Sequence, residues 1–214
     1  VYADTDDPVR LQKAWDQLGR QSGYQKLKDQ TIVHAIWDDH DYGKNDAGRE
    51  FIIKRKSQQI FLDFFNEPKD SPRRKTPGIY GEKFLGPIDQ RIQLILLDTR
   101  FFRDPLSRAA KKSKGKGPYQ PNEDPMVTIL GKDQWDWLRE CLEKQAGIRI
   151  IATSIQFHSA EHGWETWGNF PEERKRLLNL LKELKADNVL FLAEIATPRN
   201  FLRLRIFYPT LFGT

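Results

Sequence analysis

The sequence predicts a protein of the α/β class, and two observations carry this prediction. Apolar segments of strand length begin at Thr31, Arg91, Arg149 and Asn188. A strand that is apolar on both faces belongs inside a sheet covered on both sides. In the C-terminal half of the chain, such strands alternate with segments of helical period. This order is typical of a sheet that is flanked by helices.

The helices are predicted from their starts and their apolar faces. Asp7-Pro8 is a typical helix start, and the pattern that follows reaches Leu18 and extends to Leu27. A second pattern predicts one long helix, with Phe51 and Ile52 on its buried side. In chain order, we predict helices over residues 8–27, 47–65, 131–145 and 171–184, and strands over residues 31–37, 78–81, 91–97, 149–155, 188–192 and 201–206.

Length and composition fit one globular domain with a sizeable core. The chain has 214 residues, of which 38% are hydrophobic and 30% charged, and its net charge is +5. That charge suits an anionic partner such as a phosphate ester, but it is too small to indicate nucleic acid by itself. Cys141 is the single cysteine and is predicted to be a packed thiol. No apolar run approaches a membrane span, no signal peptide is visible, and the missing initial Met suggests residues upstream.

The segment from Trp37 to Asp46 concentrates chemically active side chains after the first predicted strand. It contains four carboxylates, one imidazole, one phenol and one amide. Ionised carboxylates this close repel one another, so a hard cation with oxygen ligands is the simplest partner. In this interpretation Asp39 binds the cation and His40 binds phosphate or donates a proton. The alternative is a turn and capping cluster, because Asp, Asn and Gly are common before helices.

Charged residues also follow the second apolar strand. Arg100 and Arg103 come shortly after Asp98 and can clamp a phosphate in a bidentate manner. They can equally form ion pairs with Asp98 or Asp104 that stabilise the loop, and the sequence does not decide between the two.

Two further features are predicted to be structural. His158 and His162 follow the third strand but are isolated, so we expect them not to bind metal; for the nearby Trp164 and Trp167, packing is favoured over a role as pocket walls. The basic stretch over residues 108–125 is expected to be a solvated loop. No interleaved aromatic residues accompany its lysines, so nucleic-acid binding is not favoured.

Five segments, in order, carry a resemblance to a known family. The first, Trp37-Asp38-Asp39-His40-Asp41-Tyr42-Gly43-Lys44-Asn45-Asp46, resembles the signature of the PhoD-like (alkaline phosphatase D) metallophosphatases. The others are similar to later motifs of that family. They are Asp98-Thr99-Arg100-Phe101-Phe102-Arg103, the helix Leu130–Leu138 with its Gly-x-x-Gln-x-x-Trp-Leu pattern, Ser154-Ile155-Gln156, and Trp164–Arg174.

The resemblance implies a metallophosphoesterase-like sandwich of two sheets flanked by helices. It also implies a binuclear metal centre, iron with calcium, at which a metal-bound hydroxide hydrolyses phosphate mono- or diesters. By position, Asp39 is then a metal ligand and Tyr2 supplies a phenolate to the ferric ion. His40 faces the phosphate, and Arg100 lies on the substrate side.

The sequence departs from the family pattern in two places. The Gly-Asp expected before Tyr2 and an upstream cysteine ligand are not in this chain, and after Leu192 the chain reads Ala193-Glu194-Ile195-Ala196 where the family has Ser-Gly-Asp-x-His. We therefore predict a partial PhoD-like domain over residues 1–192, lacking N-terminal and C-terminal parts, and a divergent tail over residues 193–214. Glu194 is a stray candidate ligand.

Two functions follow from this resemblance and its departures. One is hydrolysis of a phosphate ester, and the other is a catalytically inactive remnant that serves as a binding or structural module. A basic nucleic-acid-binding domain is a third, weaker hypothesis that rests on residues 108–116 alone. The sequence leaves the natural substrate, the oligomeric state and the cellular compartment open.

Overall fold

The computed structural model describes residues 1–111 and 114–193, and the backbone of residues 205–207. The helices are α1 (Pro8–Gly19), α2 (Ser22–Gln30), α3 (Asp39–Tyr42), α4 (Lys54–Phe64), α5 (Pro72–Lys75), α6 (Gly131–Glu143) and α7 (Pro171–Glu183), with a 3₁₀ turn at Trp167–Asn169. The strands are β1 (Gly81–Leu85), β2 (Ile92–Leu96), β3 (Ile148–Thr153), β4 (Val189–Ala193) and β5 (Arg205–Phe207). Of the described helices, α6 and α7 are the longest at 13 residues each, and no described helix is long and apolar enough to cross a membrane.

The strands form one mixed sheet in the order β1-β2-β3-β4-β5. β2, β3 and β4 are parallel, and β1 and β5 add antiparallel edges. The β2–β3 connection contains α6, and the β3–β4 connection contains α7. The predicted α/β class is therefore confirmed, although the strands of the described residues make a single sheet and not the two of a sandwich. The carboxyl ends of the parallel strands meet at one edge, where α/β proteins place ligand sites.

Two hydrophobic clusters support this sheet and the loops at its edge. The first packs the sheet against α6 and α7, and includes Ile95, Ile151, Leu138, Leu177 and Phe191. It also contains Cys141, which is fully buried. Burial raises the pKa of this thiol to about 12, so the predicted packed thiol is confirmed. The second cluster joins α1, α3 and α4, and it includes Leu11, Trp15, Trp37, Tyr42 and Phe61.

The prediction of a strand over residues 31–37 is wrong. This segment forms neither helix nor strand, and it pairs with no strand among the described residues. Ile32 is 83% exposed, whereas Trp37 is buried. An apolar run becomes a strand only where a neighbouring strand supplies hydrogen bonds, and the pattern of side chains does not report that neighbour.

The long helix predicted over residues 47–65 begins only at Lys54, and Ile52 is exposed where the pattern placed it on the buried side. The preceding residues use their backbone groups in tertiary contacts, since the Arg49 N–H donates to the Arg103 carbonyl at 2.8 Å. A Cβ on Gly48 would lie 2.5 Å from that same carbonyl oxygen. This close approach of two loops excludes a helix here.

Among the remaining elements, the strand predicted over residues 78–81 is also wrong, because β1 begins at Gly81. Gly78 has φ +82°, and the Ile79 N–H donates to the Asp98 carboxylate at 2.9 Å rather than to a strand. The first helix is interrupted after Gly19, so that Tyr24 and Leu27 belong to α2. Most of the tail strand predicted over residues 201–206 lies outside the described residues. Its end falls in β5 (Arg205–Phe207), which pairs with β4. The elements predicted near 92–96, 131–143, 148–153, 171–183 and 189–193 are confirmed to within two residues.

Candidate metal centre at the acidic loop

The acidic loop, which is the segment from Trp37 to Asp46, is stabilised by hydrogen bonds to its own carboxylates. Asp38 immediately precedes α3, and its N–H donates to Asp41 Oδ2 at 3.1 Å. Asp39 Oδ1 accepts the His40 N–H at 2.8 Å, and Asp39 Oδ2 accepts the Asp46 N–H at 3.1 Å. Asp46 has a left-handed backbone, with φ +54°, which Asp tolerates better than most residues. The loop therefore folds back on itself and brings Asp46 to Asp39.

A fully buried carboxylate, Asp98, joins this loop to the end of β2. Asp98 Oδ1 accepts Trp37 Nε1–H at 2.9 Å and the backbone N–H of Arg100 at 2.9 Å. On the other side, Gln134 of α6 accepts the Asp98 N–H at 2.8 Å and donates to the Asp98 carbonyl at 2.8 Å. Because N–H donors surround the carboxylate, Asp98 fixes the backbone and is not placed as a cation ligand.

Two buried arginines lie beneath the loop and share one acidic partner. Arg100 donates to Asp38 Oδ1 from Nε at 3.0 Å and to Glu165 Oε1 from Nη1 at 2.7 Å. Arg103 Nε lies 2.9 Å from Glu165 Oε1, and Arg103 Nη2 donates to the Asp46 carbonyl at 2.5 Å. Both guanidinium groups are at most 1% exposed. Of the alternatives open from sequence, ion pairing is therefore observed, with Asp38 and Glu165 as partners rather than Asp98.

Three carboxylates of this region lie close enough to hold one metal ion. Oxygens of Asp39, Asp46 and Glu165 lie within 4.8 Å of one another, and no other such group occurs in the part of the chain that the structure describes. All three residues, with Asp38 and Asn45, line a cavity of about 230 Å³. With Asp38 there are four carboxylates against two buried guanidinium groups, which leaves two negative charges when all are ionised. This donor set of hard oxygen ligands suits a hard divalent cation.

The pKa values reflect how much negative charge is gathered here. Burial raises the pKa of Glu165 to about 7, although Arg100 and Arg103 oppose the shift, while Asp38 and Asp46 add to it. Burial also disfavours the ionised form of Asp39, but the charge of Arg100 and the Asp46 N–H outweigh it and lower its pKa. Asp39 is thus favoured in its ionised form, while Glu165 resists ionisation without additional positive charge.

The other residues implied by the resemblance, His40, Tyr2 and Arg100, differ in their burial and in their contacts. His40 Nε2 is 3.9 Å from Asp39 Oδ1, and His40 Nδ1 is buried without a hydrogen-bond partner among the described residues. The Tyr2 ring stacks on His40 with a centroid distance of 3.6 Å and is 79% exposed. Arg100 is enclosed by its two carboxylate partners. The roles of Tyr2, Asp39, His40 and Arg100 stay predictions.

Residues that were expected to be structural divide into two groups. Trp167 is fully buried and donates from Nε1 to Thr153 Oγ1 at 3.0 Å, whereas Trp164 is 51% exposed and lines the cavity. His162 is 3.2 Å from Gln156 Oε1 and accepts the Trp164 N–H at 3.0 Å. The basic loop contains no helix or strand in its described part, where Arg108 and Tyr119 form an isolated bridge.

Sequence reasoning missed two members of the carboxylate group. In the sequence, Asp46 is only one of the four carboxylates of the segment from Trp37 to Asp46, and Glu165 is only part of a family motif. Arg100 and Arg103 are the one signal in the sequence that a further acidic residue is needed here, because two buried arginines require acidic partners. The sequence does not show which acidic residue that partner is.

Comparisons with known proteins agree with the observed fold. The profile of the PhoD-like phosphatase family matches residues 12–194. Alkaline phosphatase D of Bacillus subtilis (strain 168) is 24% identical over 203 aligned residues, which cover 83% of this chain and 34% of that protein. A solved chain described as "Structure of PhoD" matches with a TM-score of 0.58 at 24% identity, over 74% of this chain and 33% of that one. At that identity the structural likeness shows the fold alone, and the chain spans about a third of the length of these relatives.

Proposed function

The chain belongs to the PhoD-like phosphatase family, and on this premise we propose that it hydrolyses phosphate mono- or diesters with the help of bound metal. The observation that carries the proposal is the group formed by Asp39, Asp46 and Glu165 at the carboxyl edge of the sheet. The negative charge gathered there favours a bound cation, and we place the phosphoryl group in the same cavity of about 230 Å³.

The proposed cation is held by Asp39, Asp46 and Glu165. When bound, such an ion supplies positive charge beside the phosphoryl oxygens and acidifies water for attack on phosphorus. Iron with calcium is the pair that the family resemblance implies, and the exposed Tyr2 phenol is a further candidate ligand. The described residues offer one group of three carboxylates, so a second metal position is part of the proposal only through the resemblance.

The remaining residues act around that position. In this proposal His40 faces the phosphate and donates a proton to the leaving oxygen. Arg100 and Arg103 contact Glu165, and their positive charges keep the four carboxylates together before the cation binds. Arg100 thereby serves the site as a positioning residue in addition to its predicted place on the substrate side.

The proposal is tested by measuring the metal content of the purified chain together with hydrolysis of a chromogenic phosphodiester. We expect activity that depends on added metal and that falls about 100-fold or more in both Asp39→Ala and His40→Ala. Asp89→Ala is the matched control, because Asp89 is an exposed carboxylate in the turn between β1 and β2. Full activity in both site variants would show that the centre is misplaced.

The second candidate function is a catalytically inactive remnant that acts as a binding or structural module. It is favoured by the sequence after Leu192, which lacks the Ser-Gly-Asp-x-His of the family pattern. The same experiment separates the two candidates. A chain that holds no metal and turns over no ester is the inactive module, whereas metal-dependent turnover establishes the enzyme.

A further inference from the structure

A second cavity adjoins the candidate metal centre. It has a volume of about 420 Å³ and shares Asn45 and Asp46 with the smaller cavity at the carboxylates. The boundary between the two cavities is built by hydrogen bonds, since Tyr119 Oη donates to Asp46 Oδ2 at 2.6 Å and Asn45 Nδ2 donates to the same oxygen at 2.9 Å. The two cavities therefore adjoin at Asn45 and Asp46.

The two cavities differ in size, which suggests that each binds a different part of the same ligand. Sites for organic ligands of moderate size generally have volumes of about 300–1,000 Å³. The cavity at the carboxylates, at about 230 Å³, is smaller than this range, whereas the second cavity lies within it. A phosphate ester consists of a small charged phosphoryl group and an alcohol of variable size. The smaller cavity suits the first part and the larger cavity suits the second.

The walls of the second cavity indicate what kind of alcohol it accepts. One side is apolar, with Phe51, Ile52 and Leu106, and Ile52 is 82% exposed. Lys44 and Arg108 also line the cavity, where three carboxylates, Asp6, Asp46 and Glu50, outnumber these two cations. A cavity with a net negative charge does not attract a second anionic group, while its apolar residues gain free energy when an uncharged body covers them.

We propose that the second cavity binds the alcohol moiety of the phosphate ester and selects uncharged apolar or aromatic alcohols over small ones. This inference rests on the proposed function, because it places the phosphoryl group at Asp39, Asp46 and Glu165. Ile52 is the specificity-determining residue in this arrangement. Its exposed side chain contacts the alcohol and takes no part in holding the metal.

The test measures binding of two phosphonates, which resist hydrolysis, to the full chain by calorimetry in the presence of Ca²⁺. We expect naphthylmethylphosphonate to bind about tenfold or more tightly than methylphosphonate. Ile52→Asn is expected to remove that preference and to leave the affinity for methylphosphonate unchanged. The matched control is Ile88→Asn, in the β1–β2 turn, where the isoleucine is 75% exposed and far from both cavities in the chain.

The outcomes distinguish this inference from the proposed function. Equal affinity for the two phosphonates, binding of neither, or a preference that survives Ile52→Asn overturns the inference. So does a preference that is lost equally in Ile88→Asn. Hydrolysis is scored separately with the chromogenic diester. Absence of turnover together with an Ile52-dependent preference rejects the enzymatic function and leaves the cavity as an organophosphate-binding site.

Discussion

Glu165 and Glu173 are both buried glutamates close in the chain, with side chains 8% and 6% exposed, yet their surroundings differ in kind. Glu173 accepts hydrogen bonds from the Thr128 hydroxyl at 2.7 Å, the Ile129 N–H at 2.8 Å and Trp135 Nε1 at 2.9 Å. These donors are neutral, and the one charged partner is the half-exposed Arg176, whose Nη1 lies 3.5 Å from Glu173 Oε1. Glu165 instead contacts two guanidinium groups and lies within a group of carboxylates.

The difference separates a structural carboxylate from a candidate functional one. Neutral donors and the half-exposed Arg176 satisfy the oxygens of Glu173, which belongs to no potential metal-binding group in the described residues. This residue therefore ties the start of α6 to α7. Around Glu165, positive charge is present but insufficient, because Asp38, Asp39 and Asp46 are close as well. Burial alone therefore does not identify a functional acid, whereas the sign and balance of the neighbouring charges do.

The largest expected effect comes from breaking the structural member of this pair. Glu173→Ala leaves the Ile129 N–H and Trp135 Nε1 buried without acceptors, and each such loss costs about 1–3 kcal/mol. We expect the free energy of unfolding, measured by urea titration, to fall by about 3 kcal/mol, with metal affinity unchanged. Glu172→Ala, on the exposed side of the same helical turn, should change it little. A loss under about 0.5 kcal/mol, within the range of ordinary surface substitutions, would contradict the structural role.

The next effect concerns Glu165 and depends on added cation. A ligand at 100 times its Kd stabilises a folded protein by about 2.7 kcal/mol. At the Ca²⁺ concentration that gives this gain for the unmodified chain, we expect Glu165→Gln to gain less than about 1 kcal/mol. Glu173→Ala should retain the full gain above its lower baseline. Thermal unfolding with and without Ca²⁺ measures both, and equal gains in all three proteins would remove the distinction between the two glutamates.

The sequence predicted those parts of the fold and site that depend on neighbouring residues. The acidic loop was recognisable because its carboxylates are adjacent in the chain, and α6 and α7 were recognisable from their apolar faces and, in α7, the initial proline. These features are local, because the residues that determine them lie close together in the sequence.

The sequence did not predict contacts that join distant segments. Glu165 meets Arg100 across 65 residues, and no pattern of spacing reports that approach. The strand expected over residues 31–37 was wrong for a related reason, because strand formation depends on a partner elsewhere in the chain. The helix expected from residue 47 was shortened by the contact between Gly48 and Arg103. In each case tertiary contacts override a correct local pattern.

A third carboxylate, Glu67, represents an intermediate situation and gives the smallest expected effect. Glu67 Oε1 accepts the Ser71 hydroxyl at 2.6 Å, and Glu67 Oε2 accepts Arg73 Nη1 at 2.9 Å. Burial raises its pKa, but Ser71 and Arg73 together outweigh burial and lower it below its usual value. Two positive charges, Arg73 and Lys83, thus lower the pKa of Glu67 and, unlike for Glu165, no carboxylate in the described residues raises it.

The lowered pKa of Glu67 fixes the sign of a pH dependence. Its contribution to stability is present above the unfolded-state pKa of about 4.3 and is lost as the pH falls through the lower folded-state pKa. We expect Glu67→Gln to reduce the free energy of unfolding by less than about 1 kcal/mol at pH 7. That difference should shrink as the pH falls below the unfolded-state pKa, and it should vanish once the carboxyl group is protonated in both states. Urea titrations across this range, with the exposed Glu123→Gln as control, check the sign, and a difference that grows toward low pH would show that the Arg73 contact does not favour the ionised carboxylate.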